Sequence, residues 1–576
     1  MFHQLLTPVD HNLALSFLVG MLPIATVLVL LGILKRPAWQ SSLAGLVVGL
    51  VIALWVWRFP VGLTIESTLA GVAFALWPIM WIVFAALVLY NVAVNCGQFD
   101  AFRRWILEHL PDDRRIILIV IGYCFGALLE GVTGFGAPVA IISSLLIILG
   151  FDAMDAIVFA LIFNTAPVAF GSIGVPITTL AGVTGLPDTV LGAMVGRQLP
   201  FLAFLLPFYA IALYGGWRSV RALWPVLLVA AATGALGQFV TANYISYQLT
   251  NIVSSLVSLA VTVIFLKLWA PAHDPAFAVA RLTSTIERAI EAGPAIVAEP
   301  VIVAGAAIAA GPAMGGGQLV AGERGIGTGQ ADGKMAPWQG WIPWLFVAVV
   351  VTVWTIWKFA AFHQMNLPWR GLNNAVFITL YNRPYAAVFN FQPLATGTAI
   401  LVSAILTALA GRLGIAGFGS AMSTAARQIR LPTLTVTAIV GLAFLMNYSG
   451  IAYTLGLAVA SVGALFPLVS AFLGWLAVFL SGSDSSGNAL FGNLQVVAAR
   501  QLHLSSILIA ATNSSGGVMA KMISPQNIAT GCATTHLTGH EGAIFSRTFL
   551  HSIFLTVLLG CLVWLQQYVW PWMIAH

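Results

Sequence analysis

The chain has 576 residues, 60% of them hydrophobic and only 7% charged, with a formal net charge of +6. A soluble domain carries about 25% charged residues, so the composition excludes a water-covered globular surface. The excess cations are spread over many loops instead of gathered into one patch, which leaves nucleic acid out as a partner. Apolar runs near the roughly 20 residues that span a bilayer predict an all-α polytopic membrane protein. An outer-membrane barrel would show short alternating strands instead.

In chain order, the first apolar run is "LALSFLVGMLPIATVLVLLGIL" (13–34). No Lys or Arg precedes it, whereas a cleavable signal needs a basic leading segment, so it is expected to be a retained span. Further spans are expected near 41–57, 69–95, 114–130, 154–171, 196–215, 222–240, 250–270, 342–361, 386–410, 432–447, 452–479, 488–501, 503–513 and 550–571. Some of these are half-helices, giving about 12 to 14 full crossings at 1.5 Å per residue. Basic residues recur in every second loop: Lys35 and Arg36, then Arg103, Arg104, Arg114 and Arg115, then Arg218 and Arg221, Lys267, Arg281 and Arg288, Arg412, Arg427 and Arg430, and Arg547. With Arg58, Arg370 and Arg383 as exceptions, this fits an N-outside topology.

Residues 271–340 interrupt the membrane pattern with a Gly/Ala-rich stretch, expected to be a cytoplasmic linker between an N-terminal half (1–270) and a C-terminal half (341–576). Its "GIGTG" lacks the strand and helix that a phosphate loop requires. Cys96, Cys124, Cys532 and Cys561 have no metal or redox spacing. His536 and His540 in "HLTGHE" have a zinc-like interval but fall in a loop. The sequence calls for no metal, no cofactor and no catalytic nucleophile, which argues against an enzyme.

Polar breaks inside the apolar runs carry the chemistry. "LEGVTGFGAPVA" (129–140) places Glu130 beside Gly131, Gly134, Gly136 and Pro138, which weaken a continuous helix. "FNTAPVAFGSIGVPI" (163–177) carries Asn164 and Thr165. The second half echoes both. "LSGSDSSGNALFG" (480–492) holds Asp484, Ser485 and Asn488, and "ATNSSGGVMAKMISPQNIA" (511–529) holds Asn513, Ser514 and Lys521. Paired broken segments at corresponding places in two halves point to the binding site of a secondary transporter. Half-helix N-termini suit an anion, and the carbonyls at the other ends suit a cation.

Each intramembrane acid costs roughly 2.5–3.5 kcal/mol on insertion scales. Burial favours the neutral form of a carboxyl group, the property a proton-coupled carrier uses. The alternatives stay open here: the acids as helix-end groups at a rim, Lys521 snorkelling to the interface, and the Asn, Ser and Thr side chains as interhelical glue. Arg197 in "VGRQLPF" is an anion ligand or, better, a membrane-surface anchor.

The motifs "LEGVTGFGAPVAI", "NTAPVAFGSIGVPI", "VGRQLPF", "NIVSSLVSL", "YAAVFNFQPLATGTAIL", "NYSG", "FLGWLAVFLSGSDSSGNALFGNLQ" and "NSSGGVMAKMISPQNIA" together resemble the L-lactate permease family, through nearly the whole chain. The resemblance implies uptake of L-lactate with protons across a bacterial inner membrane, with D-lactate and glycolate as related substrates. The stretch 271–340 departs from the pattern. On this reading Glu130 and Asp484 are the proton-site candidates. Lys521, Asn513 and Asn164 hold the carboxylate, and Asn488 or a serine such as Ser485 or Ser514 meets the hydroxyl. Gly134 and Thr165 belong to the same breaks. The competing readings are a glycolate-preferring or sodium-coupled symporter, a passive anion channel and a membrane enzyme.

Overall fold

The computed structural model describes all residues except 31–33, 35, 135, 272–273, 279–334, 536 and 538–539. Most of the expected linker therefore lies outside the described residues, as do Lys35, Arg281, Arg288 and His536. The rest is overwhelmingly helical. Helices α1 (Leu13–Leu28), α2 (Ala38–Trp55), α3 (Val61–Phe74) and α4 (Trp81–Asn95) open the chain; the Asn12 side chain caps the first by accepting from the amides of Ala14 and Leu15. After α5 (Gln98–Glu108), α6 (Arg114–Ile117) starts a buried crossing that ends in α7 (Gly126–Val132). Next come α8 (Ala137–Ile148), α9 (Ala153–Phe163), α10 (Gly171–Thr184), α11 (Asp188–Val195), α12 (Leu199–Val240) and α13 (Thr250–Leu268). The second half holds α14 (Ile342–Ile356), α15 (Thr396–Ala410), α16 (Ile415–Ser449), α17 (Ile451–Val459), α18 (Phe466–Ser481), α19 (Asp484–Gln501), α20 (Ser506–Ala520), α21 (Pro525–Thr534) and α22 (Glu541–Tyr568).

Among the described residues, nine helices are long and apolar enough to cross a membrane, or ten with α9 and α10 taken as one broken span bent by 66°. The stretch Asp188–Ile245 counts once in that number yet runs for 58 residues. That is roughly 87 Å of helix, room for two crossings of a hydrocarbon core about 30 Å thick. Its interruption at Gly216 (φ +70°, ψ 177°) falls between the expected spans 196–215 and 222–240.

Two expectations change. The span expected over 386–410 is helical only as α15. Residues Val388–Phe391 form strand β5 instead, antiparallel to β2 (Met365–Pro368), so this apolar text stops short of the membrane pattern. β1 (Phe2–His3), β3 (Val376–Ile378) and β4 (Arg383–Pro384) make a second small sheet that ties the N-terminus to the same region. In addition, Arg427 and Arg430 do not sit on a loop. α16 continues through them and through Pro432 to Ser449, a helix of 35 residues.

Elements from before and after residues 279–334 pack on one another: α10 lies along α19, and α2 and α3 lie on α16. Within residues 341–576, α18 packs closely on α20. The closeness of that last pair comes from Gly474, where a Cβ would stand 2.0 Å from the Asn513 carbonyl oxygen. Backbone is the obstacle there and cannot yield like a side-chain tip. Gly474→Val is therefore expected to lower the melting temperature of the detergent-solubilised protein by several degrees. Gly62→Ala, which meets nothing within 4 Å, shifts it little. Thermal unfolding of the two purified variants checks this.

Candidate functional site

Four backbone breaks meet at one place. The first follows α7, which ends at Val132 with Glu130 in its last turn. The second leads into α10, where Ser172, Ile173 and Gly174 take left-handed φ values of +44°, +57° and +77°. A β-branched residue such as Ile173 rarely adopts that conformation, and strain of this kind, of order 1–3 kcal/mol per residue, concentrates at functional sites. The third break is Gly482–Ser483, between α18 and α19; Ser483 caps α19 by accepting from the Ser486 amide. The fourth is the turn Lys521–Ser524 between α20 and α21.

Together they line a cavity of about 40 Å³, on the scale of a few water molecules. Glu130 and Gly134 come from the first break and Gly171, Ser172 and Pro176 from the second. Ser483, Asp484 and Ser485 come from the third, and Lys521, Gln526 and Asn527 from the fourth. The starts of α10, α19 and α21 line this cavity, bringing positive dipole ends to one point.

A buried ion pair crosses the site. Lys521 Nζ donates to Glu130 Oε1 at 2.8 Å, and the two side chains are 5% and 2% exposed. Among the described residues Glu130 Oε2 has no hydrogen-bond partner, and neither has Asp484 Oδ1. The ion pair fits because of two close approaches. A Cβ at Gly171 would lie 2.6 Å from Glu130 Oε1. One at Gly134 (φ +58°) would lie 2.0 Å from Ser172 Oγ, which donates to the Thr133 carbonyl at 3.1 Å and pins the first break to the second.

Of the residues singled out from sequence, Glu130, Asp484, Lys521, Ser485 and Gly134 line the cavity. Asn488, Asn513 and Ser514 stand behind Asp484. Ser514 Oγ donates to Asp484 Oδ2 at 2.5 Å, Asn488 Nδ2 donates to the same oxygen at 3.4 Å, and Asn513 Nδ2 donates to Asn488 Oδ1 at 2.8 Å. Thr165 bonds back to the Leu161 carbonyl at 3.2 Å within its own chain segment. Asn164 is buried at the end of α9 with neither end of its amide partnered among the described residues, and it does not line the cavity. Arg197 donates to Asn243 Oδ1 and the Met573 carbonyl and does not line the cavity. Sequence reasoning passed over Gly171, Ser172 and Pro176 as site residues. Their signal was the "FGSIGVPI" text, readable as a break but not as a wall.

Residues 16–313 and 324–570 match the family described as L-lactate permease. The chain is 39% identical to the glycolate permease GlcA of Escherichia coli strain K12, covering 98% of each chain. It is 38% identical to the L-lactate permease of the same strain, again over 98% of each. Against the L-lactate permease of Bacillus subtilis strain 168 the identity is 36% over 99% of each.

Removing one partner of a buried ion pair costs about 3–5 kcal/mol, because the other charge is left uncompensated. Lys521→Met alone is expected to lower the melting temperature of the solubilised protein sharply, and Lys521→Met with Glu130→Gln to recover most of that loss. Melting curves of the single and double variants measure the coupling.

Proposed function

The chain belongs to the L-lactate permease family, and on that footing we propose that it imports L-lactate by proton symport across the bacterial inner membrane, with D-lactate and glycolate as related substrates. Relatives named for lactate and for glycolate stand at nearly equal identity, 38% and 39%, which supports a site that accepts both. They differ by one methyl group, worth only about 1–3 kcal/mol in an apolar pocket.

The observation that carries this reading is the Lys521–Glu130 pair facing a cavity onto which three half-helices open. The substrate carboxylate takes Glu130's place on Lys521, and the amides at the starts of α10, α19 and α21 complete its shell. Glu130, deprived of its counter-charge in a buried site, takes up a proton. Before exchange the cavity holds one ammonium and two carboxylates. Afterwards it holds the same ammonium, Asp484, the substrate carboxylate and a neutral Glu130. The charge is unchanged, so one proton accompanies one anion and transport is electroneutral. An open anion channel fits less well, because a fixed acid in the path repels the permeant ion.

The test is uptake of labelled L-lactate into sodium-free proteoliposomes. Saturable accumulation driven by an inward proton gradient, abolished by a protonophore and indifferent to a potassium diffusion potential, is the expected result. Accumulation that begins only when sodium is added overturns the proton reading.

A further inference from the structure

The two cavity acids sit in opposite surroundings. Asp484 is the first residue of α19, where the positive end of the helix dipole favours a carboxylate. Glu130 lies in the last turn of α7, where the dipole disfavours one. Asp484 Oδ2 receives hydrogen bonds from Ser514 and Asn488, whereas among the described residues Glu130 is hydrogen-bonded by Lys521 alone.

Behind Asp484 runs a one-way ladder. Ser470 Oγ donates to Gln495 Oε1 at 2.6 Å, Gln495 Nε2 to Asn513 Oδ1 at 2.7 Å, Asn513 Nδ2 to Asn488 Oδ1 at 2.8 Å, and Asn488 Nδ2 to Asp484 Oδ2 at 3.4 Å. Each amide is oriented by a second bond to a backbone carbonyl, which can only accept. Gln495 Nε2 donates to the Ser470 carbonyl at 3.1 Å, Asn513 Nδ2 to that of Gly487 at 3.4 Å, and Asn488 Nδ2 to that of Pro176 at 3.1 Å. None of the three amides can flip without setting an amide nitrogen's hydrogens away from these acceptors. Every rung therefore delivers a donor toward Asp484, and dipoles aligned in such a chain reinforce one another. All the rung side chains are buried.

We propose that the ladder holds Asp484 as a permanent carboxylate whose free Oδ1 accepts the 2-hydroxyl of the substrate, leaving proton exchange to Glu130. This rests on the symport reading above. The fixed charge also sets the substrate class: a hydroxyl is welcomed opposite Lys521, and a second carboxylate is repelled. Ser514, Asn488, Asn513 and Gln495 are positioning residues. The charged side chains lining the cavity, among the described residues, are Glu130, Asp484 and Lys521. Ionisable residues on the elements packed against α7 and α19 include Tyr90 on α4, Tyr123 and Cys124 before α7, Asp155 on α9, Lys267 on α13, Arg427, Arg430 and Tyr448 on α16, and Tyr453 on α17; none lines the cavity.

The experiment compares isosteric variants in proteoliposomes by two readouts: exchange of labelled for unlabelled lactate, and gradient-driven accumulation. Wild-type protein that fails to accumulate lactate under a proton gradient overturns the symport reading itself. With wild-type accumulation in hand, Glu130→Gln is expected to keep exchange, now independent of pH, and to lose accumulation. Asp484→Asn is expected to lose about tenfold or more in the preference for lactate over propionate, measured by competition. Gradient-driven accumulation by Glu130→Gln, or an unchanged lactate preference in Asp484→Asn, overturns the division of roles. Should Asp484→Asn not fold, Ser514→Ala and Gln495→Met leave Asp484 in place. Each is expected to weaken the preference for lactate over propionate severalfold while gradient-driven accumulation persists, and an unchanged preference in both overturns the proposal.

Discussion

A lysine and a glutamate 391 residues apart in the chain meet at 2.8 Å in the middle of an apolar protein. Neither group is tolerable there alone, since an uncompensated buried charge costs several kcal/mol. The pair therefore binds the two halves into one arrangement. With the break that carries Lys521 closed on the break that carries Glu130, α10 lies along α19 and four interrupted segments share one cavity. Broken backbone in hydrocarbon has the same requirement: its polar groups must face protein or a wet space. Charge and backbone are satisfied by one assembly.

The scaffold behind the cavity is polar as well, and it is rigid for a stated reason. Gly474 brings α18 against the backbone of α20, which sets Asn513 beside Gln495 and Asn488. Buried amides whose hydrogens are all used hold a single orientation. Glu130, in contrast, rests on one ammonium, and among the described residues its second oxygen has no partner. The site thus combines a stiff wall with one exchangeable contact.

Much of this was legible in the sequence, and the gaps have physical causes. Glu130, Asp484 and Lys521 stood out because a charge within an apolar run is expensive, and glycine and proline around them marked the breaks. The small polar residues could not be sorted in the same way. Asn488, Asn513 and Ser514 have the composition of ligands, but whether an amide faces a cavity or a neighbouring amide depends on the rotation of helices against one another. Gly171 was silent for a related reason: a glycine records that something comes close and not what, here Glu130 Oε1. The helical run through Arg427 and Arg430 was missed because charge marks the limit of the hydrocarbon and not the end of a helix. Strands β2 and β5 were missed because apolar text pairs as readily in a short hairpin as in a span.

The long separation of Lys521 from Glu130 also has a temporal side. Chains leave the ribosome at about 5–20 residues per second, so the glutamate's segment waits on the order of 20 to 80 s before its lysine is made. During that interval the membrane holds an acid without its partner. The newborn N-terminal half is a different object from the finished one: the hydrogen-bonded breaks of the first half have no second half to close upon, and residence in the bilayer during synthesis depends on the acid's neutral form or on the insertion machinery that shelters it.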